Sequence, residues 1–559
     1  MSAVKQLDAG EVSLAKIFCS DYDFKIPDYQ RPYSWKREQT LQLLDDLDDA
    51  LDREQDEPYF LGSIVLVKSK GSPEADVIDG QQRLTTLTIL FSVLRHLAED
   101  QDLANELNSV ILEPGSRLAG TQAKPRLRLR PRDADFFERW IQRPGRLNEL
   151  IALPDSEATT DARRAIRDNT KALIERLETW DDARRERLAA MMGSRTFLVV
   201  VSTPDLASAH RIFSVMNARG LDLTAADIFK ATVIGSLPDS DQSEYADKWE
   251  TEEEDLGRDN FADLFQHIRM ITAKVKARRE LLKEFDEQVL SAYLPGRAAH
   301  FVDDVLLPYS DSYEDLLYWK YGRSETVNAF LRRLSMIDNA DWRPPALWAL
   351  RHHSKDPDFL EEFLRKLERL AVWMLVTRAY VTPRVARYGE LLKELDKGMG
   401  LDATSFELSE DEARATRDGL AGEIYTSAPV RRYVLLRLDE LLANEPGVSY
   451  EHRLITVEHV LPQHPRLDSE WSRTFTEDER RHWVHRLANL VLLNRAKNAQ
   501  AQNYDFDVKK TSYFGGRNGV ATFALTSQVV HTPEWTPETL KHRQRDLLSL
   551  LEAEWRLEQ

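Results

Sequence analysis

The run Thr456-Val457-Glu458-His459-Val460-Leu461-Pro462 is answered downstream by His485-Arg486-Leu487-Ala488-Asn489-Leu490-Val491-Leu492-Leu493-Asn494-Arg495-Ala496-Lys497-Asn498, and together they have the spacing of a ββα metal site. Phosphodiester hydrolysis needs a base to deprotonate water. It also needs a divalent ion to offset charge on the phosphorane and the departing oxygen. His459 is the candidate base, because a neutral imidazole is available near pH 7. Asn489 is expected to hold that ring in place by a hydrogen bond. Glu458 projects from the opposite face of a strand and, with Asn498, supplies hard oxygens suited to Mg2+ or another divalent cation. Asn494 and Asn503 are rival ligands. A Glu-His pair alone is ordinarily a surface acid beside a half-buried histidine, so the Asn-Leu pair and Asn498 are what move the reading towards catalysis.

These two segments resemble the HNH, or His-Me finger, nuclease module of the GmrSD-type restriction family. Its signature is an acid-His-Ile/Val-x-Pro followed by Arg-Leu-Gly-Asn-Leu-x-Leu-Leu. The chain departs from it at Ala488, where glycine is usual, and at Asn498, where many such nucleases have histidine. The zinc-binding cysteine knots that brace some of these domains are absent, since Cys19 is the single cysteine.

A chain of 559 residues is too long for one core, which implies two or three domains. Its 42% apolar and 30% charged residues are ordinary for a globular protein. With no long apolar run, no signal-like N-terminus and one cysteine, the expectation is a cytoplasmic protein without membrane contact or disulfide framework. The net charge of −18 argues against a uniformly basic nucleic-acid coat, but leaves local basic clusters free to bind phosphate.

Towards the N-terminus, Phe24-Lys25-Ile26-Pro27-Asp28-Tyr29-Gln30-Arg31-Pro32-Tyr33-Ser34-Trp35 carries two prolines among large aromatics and reads as a rigid exposed loop. An amphipathic helix follows, with Leu41, Leu44, Leu47 and Leu51 on one stripe and a solvated acidic face. Tyr59–Val67 and Ala75–Ile78 read as buried strands, the second running into Asp79-Gly80-Gln81-Gln82-Arg83 and a helix. Such a strand-turn-helix converges backbone N–H groups and the positive end of the helix dipole on one point, which suits phosphate. Arg83 would add a bidentate contact and Asp79 would orient a metal or a ribose hydroxyl. A plain tight turn with an arginine capping an acid is the competing reading.

This half resembles the N-terminal, ParB/sulfiredoxin-like domain of the same family, through Ile26-Pro27-x-Tyr29-Gln30-Arg31-x-Tyr33-x-Trp35, Tyr59–Val65 and Val77–Leu87. The resemblance implies nucleoside triphosphate binding and hydrolysis at Asp79, Gly80, Gln81, Gln82 and Arg83, with Arg31 as a neighbour. It also implies sensing of modified DNA, base-glucosylated or phosphorothioate, for which Tyr29, Gln30, Pro32, Tyr33 and Trp35 suit a pocket. Core packing is the alternative for these aromatics.

Lys124-Pro125-Arg126-Leu127-Arg128-Leu129-Arg130-Pro131-Arg132 alternates with period two, so a strand here would set five cations on one face. We read Arg126, Arg128 and Arg130 as a phosphate-facing ladder. Thr196–Ser202 reads as a further strand. Ala209–Lys230 is expected to be a helix broken at Gly220 and restarted by a Thr224 cap, with Asn217 and Arg219 either completing the nucleotide pocket or serving as a C-cap. Leu237–Ala443 reads as helical, 444–449 as a joint, and Lys509 and Lys510 as contacts to the DNA backbone.

The expected architecture is multidomain α+β: a ParB/sulfiredoxin-like nucleotide-binding and sensing domain over 1–236, a helical connecting region over 237–445 and a ββα-metal (HNH) domain over 446–559. The expected function is a nucleotide-regulated, metal-dependent DNA endonuclease of anti-phage defence, with a homo-oligomer left open. The competing class is a nucleoside triphosphate hydrolase or DNA-binding regulator whose HNH-like end grips DNA without cutting it.

Overall fold

The computed structural model describes residues 8–53, 57–115, 122–204, 208–209, 224–443, 455–494, 504–514 and 523–557. The chain forms two compact units, one of 1–254 with 293–302 and the other of 255–292 with 303–559. Among the described residues it is mixed α/β and mostly helical, with 64% helix.

The first unit is built on a six-stranded sheet. Its strands are β1 (Asp8–Ser13), β2 (Asp23–Lys25), β3 (Tyr59–Val67), β4 (Glu74–Asp79), β5 (Leu127–Arg128) and β6 (Thr196–Thr203), in the order β1-β6-β3-β4-β2-β5. β3 runs parallel to β6 and antiparallel to β4, while β2 is parallel to both β4 and β5. The near-continuous apolar run of β3 fits a strand inside the sheet, between β6 and β4.

Helix Gln81–Leu97 leaves β4 through Gly80 and is buried on nearly every side, from Gln81 to Arg95. A helix buried on nearly every face belongs inside a core, and here Thr86, Thr88 and Ser92 are accommodated by donating to backbone carbonyls. Leu84, Leu87 and Leu90 pack in one cluster with Leu44 and Leu47 of helix Arg37–Leu51, Ile166 and Leu173 of Asp161–Leu177, and Leu188 of Asp182–Ser194. Each such leucine contributes roughly 2 kcal/mol through burial. Arg95 ends this helix by donating to the carbonyls of Gln142 at 2.8 Å and Ile141 at 2.9 Å.

The segment 124–132 is not an exposed ladder. It contains the two-residue strands Lys124–Pro125 and Leu127–Arg128, and a helix begins at Pro131. Arg126 is buried and donates to the Ser109 carbonyl at 2.8 Å, while Lys124 pairs with Asp23 at 2.8 Å. Arg130 is buried between Glu250 and Asp133, and Lys230, also buried, lies 2.5 Å from Glu250. Of the three arginines read as phosphate-facing, Arg128 alone is exposed. The expected alternation is not kept: Arg126 and Arg130 are buried along with Leu127 and Leu129, Arg130 meets carboxylates and Arg126 a backbone carbonyl.

The second unit holds most of the helices of the middle region, Asp239–Leu256 lying mainly in the first, together with an antiparallel pair, β7 (Ile455–His459) and β8 (Leu490–Asn494), in register His459↔Leu490 and Glu458↔Val491. Its local core joins Val460, Leu461, Trp471, Val491, Phe506 and Trp535. Thr224 caps helix Ala225–Ile234 through a capping box, as expected. Asn217, Arg219, the joint at 444–449, Asn498 and Asn503 lie outside the described residues. Among the described residues no helix is long and apolar enough to cross a membrane.

Candidate functional site

His459 ends β7, where pairing with Leu490 fixes its backbone, and its side chain is buried with 5% of the residue exposed. Both ring nitrogens are engaged. The Gln463 amide lies 3.3 Å from Nδ1, and Nδ1 of His485 lies 3.4 Å from Nε2. The arrangement that satisfies both has Gln463 donating to Nδ1 and Nε2–H donating to His485. Tyr425 covers the ring at 4.1 Å between centroids and stacks on His485 at 5.3 Å, nearly parallel. Arg431 in turn lies over the face of Tyr425 and donates to its carbonyl at 2.7 Å. Burial, reinforced by the charges of His485, Lys509 and Arg431, lowers the His459 pKa to about 3, so the imidazole is neutral at physiological pH.

Asn489 does not orient this ring. It is wholly buried, donates to the carbonyls of Leu461 at 2.9 Å and Val484 at 3.1 Å, and accepts from the Leu461 N–H at 2.7 Å. Its amide therefore pins the backbone just past His459, and the contacts predicted for it are made by His485, Gln463 and Tyr425. Sequence reasoning assigned no role to these three. The available signal was a second histidine, His485, at the head of the downstream segment.

Glu458 faces away from the imidazole, as strand alternation requires. Its carboxylate meets Lys509 Nζ at 3.0 Å, and that ammonium also donates to the His459 carbonyl at 2.7 Å. Lys509 is fully buried, so the expected DNA contact is replaced by an internal ion pair. Lys510 likewise turns inward, donating to the Thr532 carbonyl at 2.8 Å. Desolvation raises the Glu458 pKa against the pull of Lys509. As a hard oxygen donor Glu458 fits one position of a Mg2+ shell, and Lys509 holds it where a cation would. Among the described residues no group of three or more His, Cys, Asp or Glu gathers as a metal cage.

In the first unit the Asp79-Gly80-Gln81-Gln82-Arg83 turn forms as read, with Gly80 at φ +91° capping helix Gln81–Leu97. A Cβ on Gly80 would lie 2.4 Å from Ile64 Cγ2, so glycine is required by both conformation and space. The Arg83 guanidinium lies against Gly62 and donates to the Ser63 carbonyl at 2.8 Å, bracing the irregular register between β3 and β6. Desolvation raises the Asp79 pKa, opposed by the Gly80 N–H and by the charges of Arg83 and Arg31.

The loop at 26–35 is packed, not exposed. Gln82 accepts from the N–H groups of Ser34 at 2.8 Å and Trp35 at 3.2 Å, and donates to the Pro32 carbonyl at 2.9 Å. Gln30 donates to the Ile78 carbonyl at 3.1 Å. Tyr33 is buried, its hydroxyl 2.8 Å from Thr86 and 2.9 Å from the Asn169 amide. Tyr29 is buried too, while Pro32 and Trp35 are half-buried. Arg31, Gln81, Gln82 and Tyr33 line a cavity of about 10 Å³, room for one water and not for a nucleotide.

Residues 14–234 match the GmrSD restriction endonuclease N-terminal domain, and residues 410–550 match the GmrSD restriction endonuclease C-terminal domain. No curated protein matches the chain. The first match covers strands β2 to β6 of the sheet and the Gly80 turn, and the second covers the β7–β8 pair with His459, so the chain belongs to the GmrSD restriction endonuclease family.

Proposed function

We propose that this protein hydrolyses DNA at the His459 end of β7, acting on modified DNA in anti-phage defence, with a divalent cation at the cutting site and a nucleotide acting through the first unit. One observation supports the cutting role above the others: a buried, neutral imidazole whose two nitrogens are held by separate partners, Gln463 and His485. A water that displaces the Gln463 amide meets the lone pair of Nδ1, while Nε2–H stays on His485 and keeps the tautomer fixed. His459 then takes the water proton as hydroxide attacks phosphorus and the P–O3′ bond breaks, the departing 3′ oxygen taking a proton from solvent; the negative charge of the bound phosphate favours the imidazolium that burial alone disfavours. Glu458, on the other face of β7, is the carboxylate that could hold a cation once released from Lys509, and the proton step at His459 does not depend on it. Entry of a phosphodiester requires Tyr425 to move off the ring it covers. In the first unit, Asp79, Arg83 and Arg31 are the groups for nucleotide phosphate and its counter-ion, once the packed 26–35 loop opens enough to admit one.

The test is plasmid cleavage by purified protein, on glucosylated, phosphorothioate and unmodified DNA, with Mg2+ and each nucleoside triphosphate. Strand breaks lost in His459→Ala support the proposal. Undiminished cleavage by that variant ends it.

A second reading, DNA binding without cutting, is favoured by the Lys509–Glu458 pair, which already neutralises the carboxylate a cation would need. Phosphate release from nucleotide without strand breaks in the same assay would select it.

A further inference from the structure

A cavity of about 610 Å³ opens within the second unit among helices Glu325–Ser335, Pro357–Val376, Ala428–Ala443 and Pro537–Glu554. That volume is in the range of small-ligand sites. None of its lining residues belongs to the His459 site, although helix Ala428–Ala443 also carries Arg431. Arg333, Arg365 and Arg437 enter from three of the helices, and Arg556 follows the fourth. Phe330, Leu441 and Leu550 give it an apolar side.

The four guanidiniums are not equivalent. Arg333 and Arg437 form a buried floor, with side chains 8% and 3% exposed. Arg333 chelates Glu440 through Nε at 3.0 Å and Nη2 at 2.5 Å. Arg437 bonds Glu440 at 3.0 Å and also Glu554, and lies 3.5 Å from Glu368, which Tyr433 holds by its hydroxyl at 2.7 Å. The floor therefore sets two guanidiniums against three carboxylates, Glu440, Glu554 and Glu368. At the rim a single carboxylate, Glu362, serves two guanidiniums, Arg365 at 3.3 Å and Arg556 at 3.2 Å. Each rim contact runs through one Nη1 atom, and a guanidinium has five donors, so the rim is rich in donors for an incoming anion. Exposed pairs of this kind are worth little and are easily exchanged for a multivalent partner.

We propose that this cavity binds a small phosphorylated organic molecule of nucleotide size. Its phosphate oxygens are taken by Arg365 and Arg556 in competition with Glu362, and its organic part rests against Phe330, Leu441 and Leu550. Phosphate belongs at the rim rather than the floor because Glu440 and Glu554 would repel it there. Planar guanidiniums match phosphate oxygens bidentately, which favours phosphate over a spherical anion. Helix Pro537–Glu554, one wall of the cavity, also holds Ala488 beside Asn489, through Gln544 at 2.8 Å and Arg543 at 2.9 Å. An occupant thus bears on the helix that packs behind the nuclease hairpin.

The proposal is independent of the nucleotide role assigned to the Gly80 turn, and the test separates them. Full-length protein carrying Arg83→Gln, which removes the guanidinium of that turn, is titrated calorimetrically with ADP. ADP is expected to bind. Adding Arg365→Ala, at a half-buried position, and Arg556→Ala, at an exposed one, is expected to weaken binding at least about tenfold with a melting temperature little changed. Ala553→Trp, which fills the mouth from an exposed position, is expected to abolish it. No binding in the Arg83→Gln protein, or equal binding after the rim changes, overturns the proposal.

Discussion

Nε2 of His459 lies 3.4 Å from Nδ1 of His485, and the Tyr425 ring packs on both imidazoles. His485 therefore selects which nitrogen of His459 carries the proton, a role the sequence pattern had assigned to Asn489. His459→Ala is expected to lower kcat for plasmid cleavage by about a thousandfold, within the usual range for losing a general base. His485→Ala is expected to lower kcat by roughly ten- to a hundredfold with KM little changed, and His485→Gln, which keeps an acceptor, to recover part of it. Single-turnover cleavage of labelled DNA gives both numbers.

Asn489→Ala is expected to destabilise the protein rather than selectively impair chemistry. It strands the Leu461 and Val484 carbonyls and the Leu461 N–H inside the second unit's core. Unsatisfied buried groups of this kind cost about 1–3 kcal/mol each, partly offset by relaxation, so a loss of roughly 2–4 kcal/mol is predicted. Chemical denaturation monitored by tryptophan fluorescence measures it.

The three arginines of the 126–130 segment should separate cleanly. Arg128→Ala, at the exposed position, is expected to reduce the slope of log affinity for DNA against log salt by about one if it meets a phosphate. Arg130→Ala leaves Glu250 and Asp133 short of their buried partner and is expected to cost about 3–5 kcal/mol in stability. An unchanged salt slope in Arg128→Ala would remove this segment from the DNA interface.

Gly80→Ala combines a left-handed backbone with a 2.4 Å approach to Ile64. Strain and overlap together are expected to cost about 2–4 kcal/mol and to disturb the Asp79–Arg83 turn. Thermal melts of the variant, alone and with Ile64→Ala, test this: the second change should recover the overlap and leave the backbone strain.

Asp315 supplies a pH-dependent prediction. Desolvation, with Glu314 and Asp311 nearby, raises its pKa from 3.8 to about 6 against the pull of Lys320. A raised folded-state pKa gives stability that is complete below the unfolded value and is lost as pH rises through about 6. The charged form therefore weakens the fold at neutral pH, by roughly 1 kcal/mol after discounting for partial solvent exposure. Asp315→Asn should melt higher than the parent at pH 7.5, and the difference should vanish by pH 3.5.

Local patterns determined much of this protein from sequence alone. A largely apolar run made β3 a strand, buried at Leu61 and Ile64–Leu66 though Phe60 is exposed, a glycine after Asp79 forced the turn into helix Gln81–Leu97, Thr224 capped its helix, and His459 was placed at the end of a paired strand. These features depend on neighbours a few residues away, where steric and hydrogen-bonding preferences act directly. Tertiary structure alone decided which polar group meets which. Gln82 closes on the 32–35 loop across 48 residues, Lys509 on Glu458 across 51, and Arg130 on Glu250 across 120. An alternating arginine segment reads the same whether water, phosphate or a carboxylate lies over it. Burial, which fixes both partner and protonation, is set by packing between segments whose separation in sequence leaves no periodic trace.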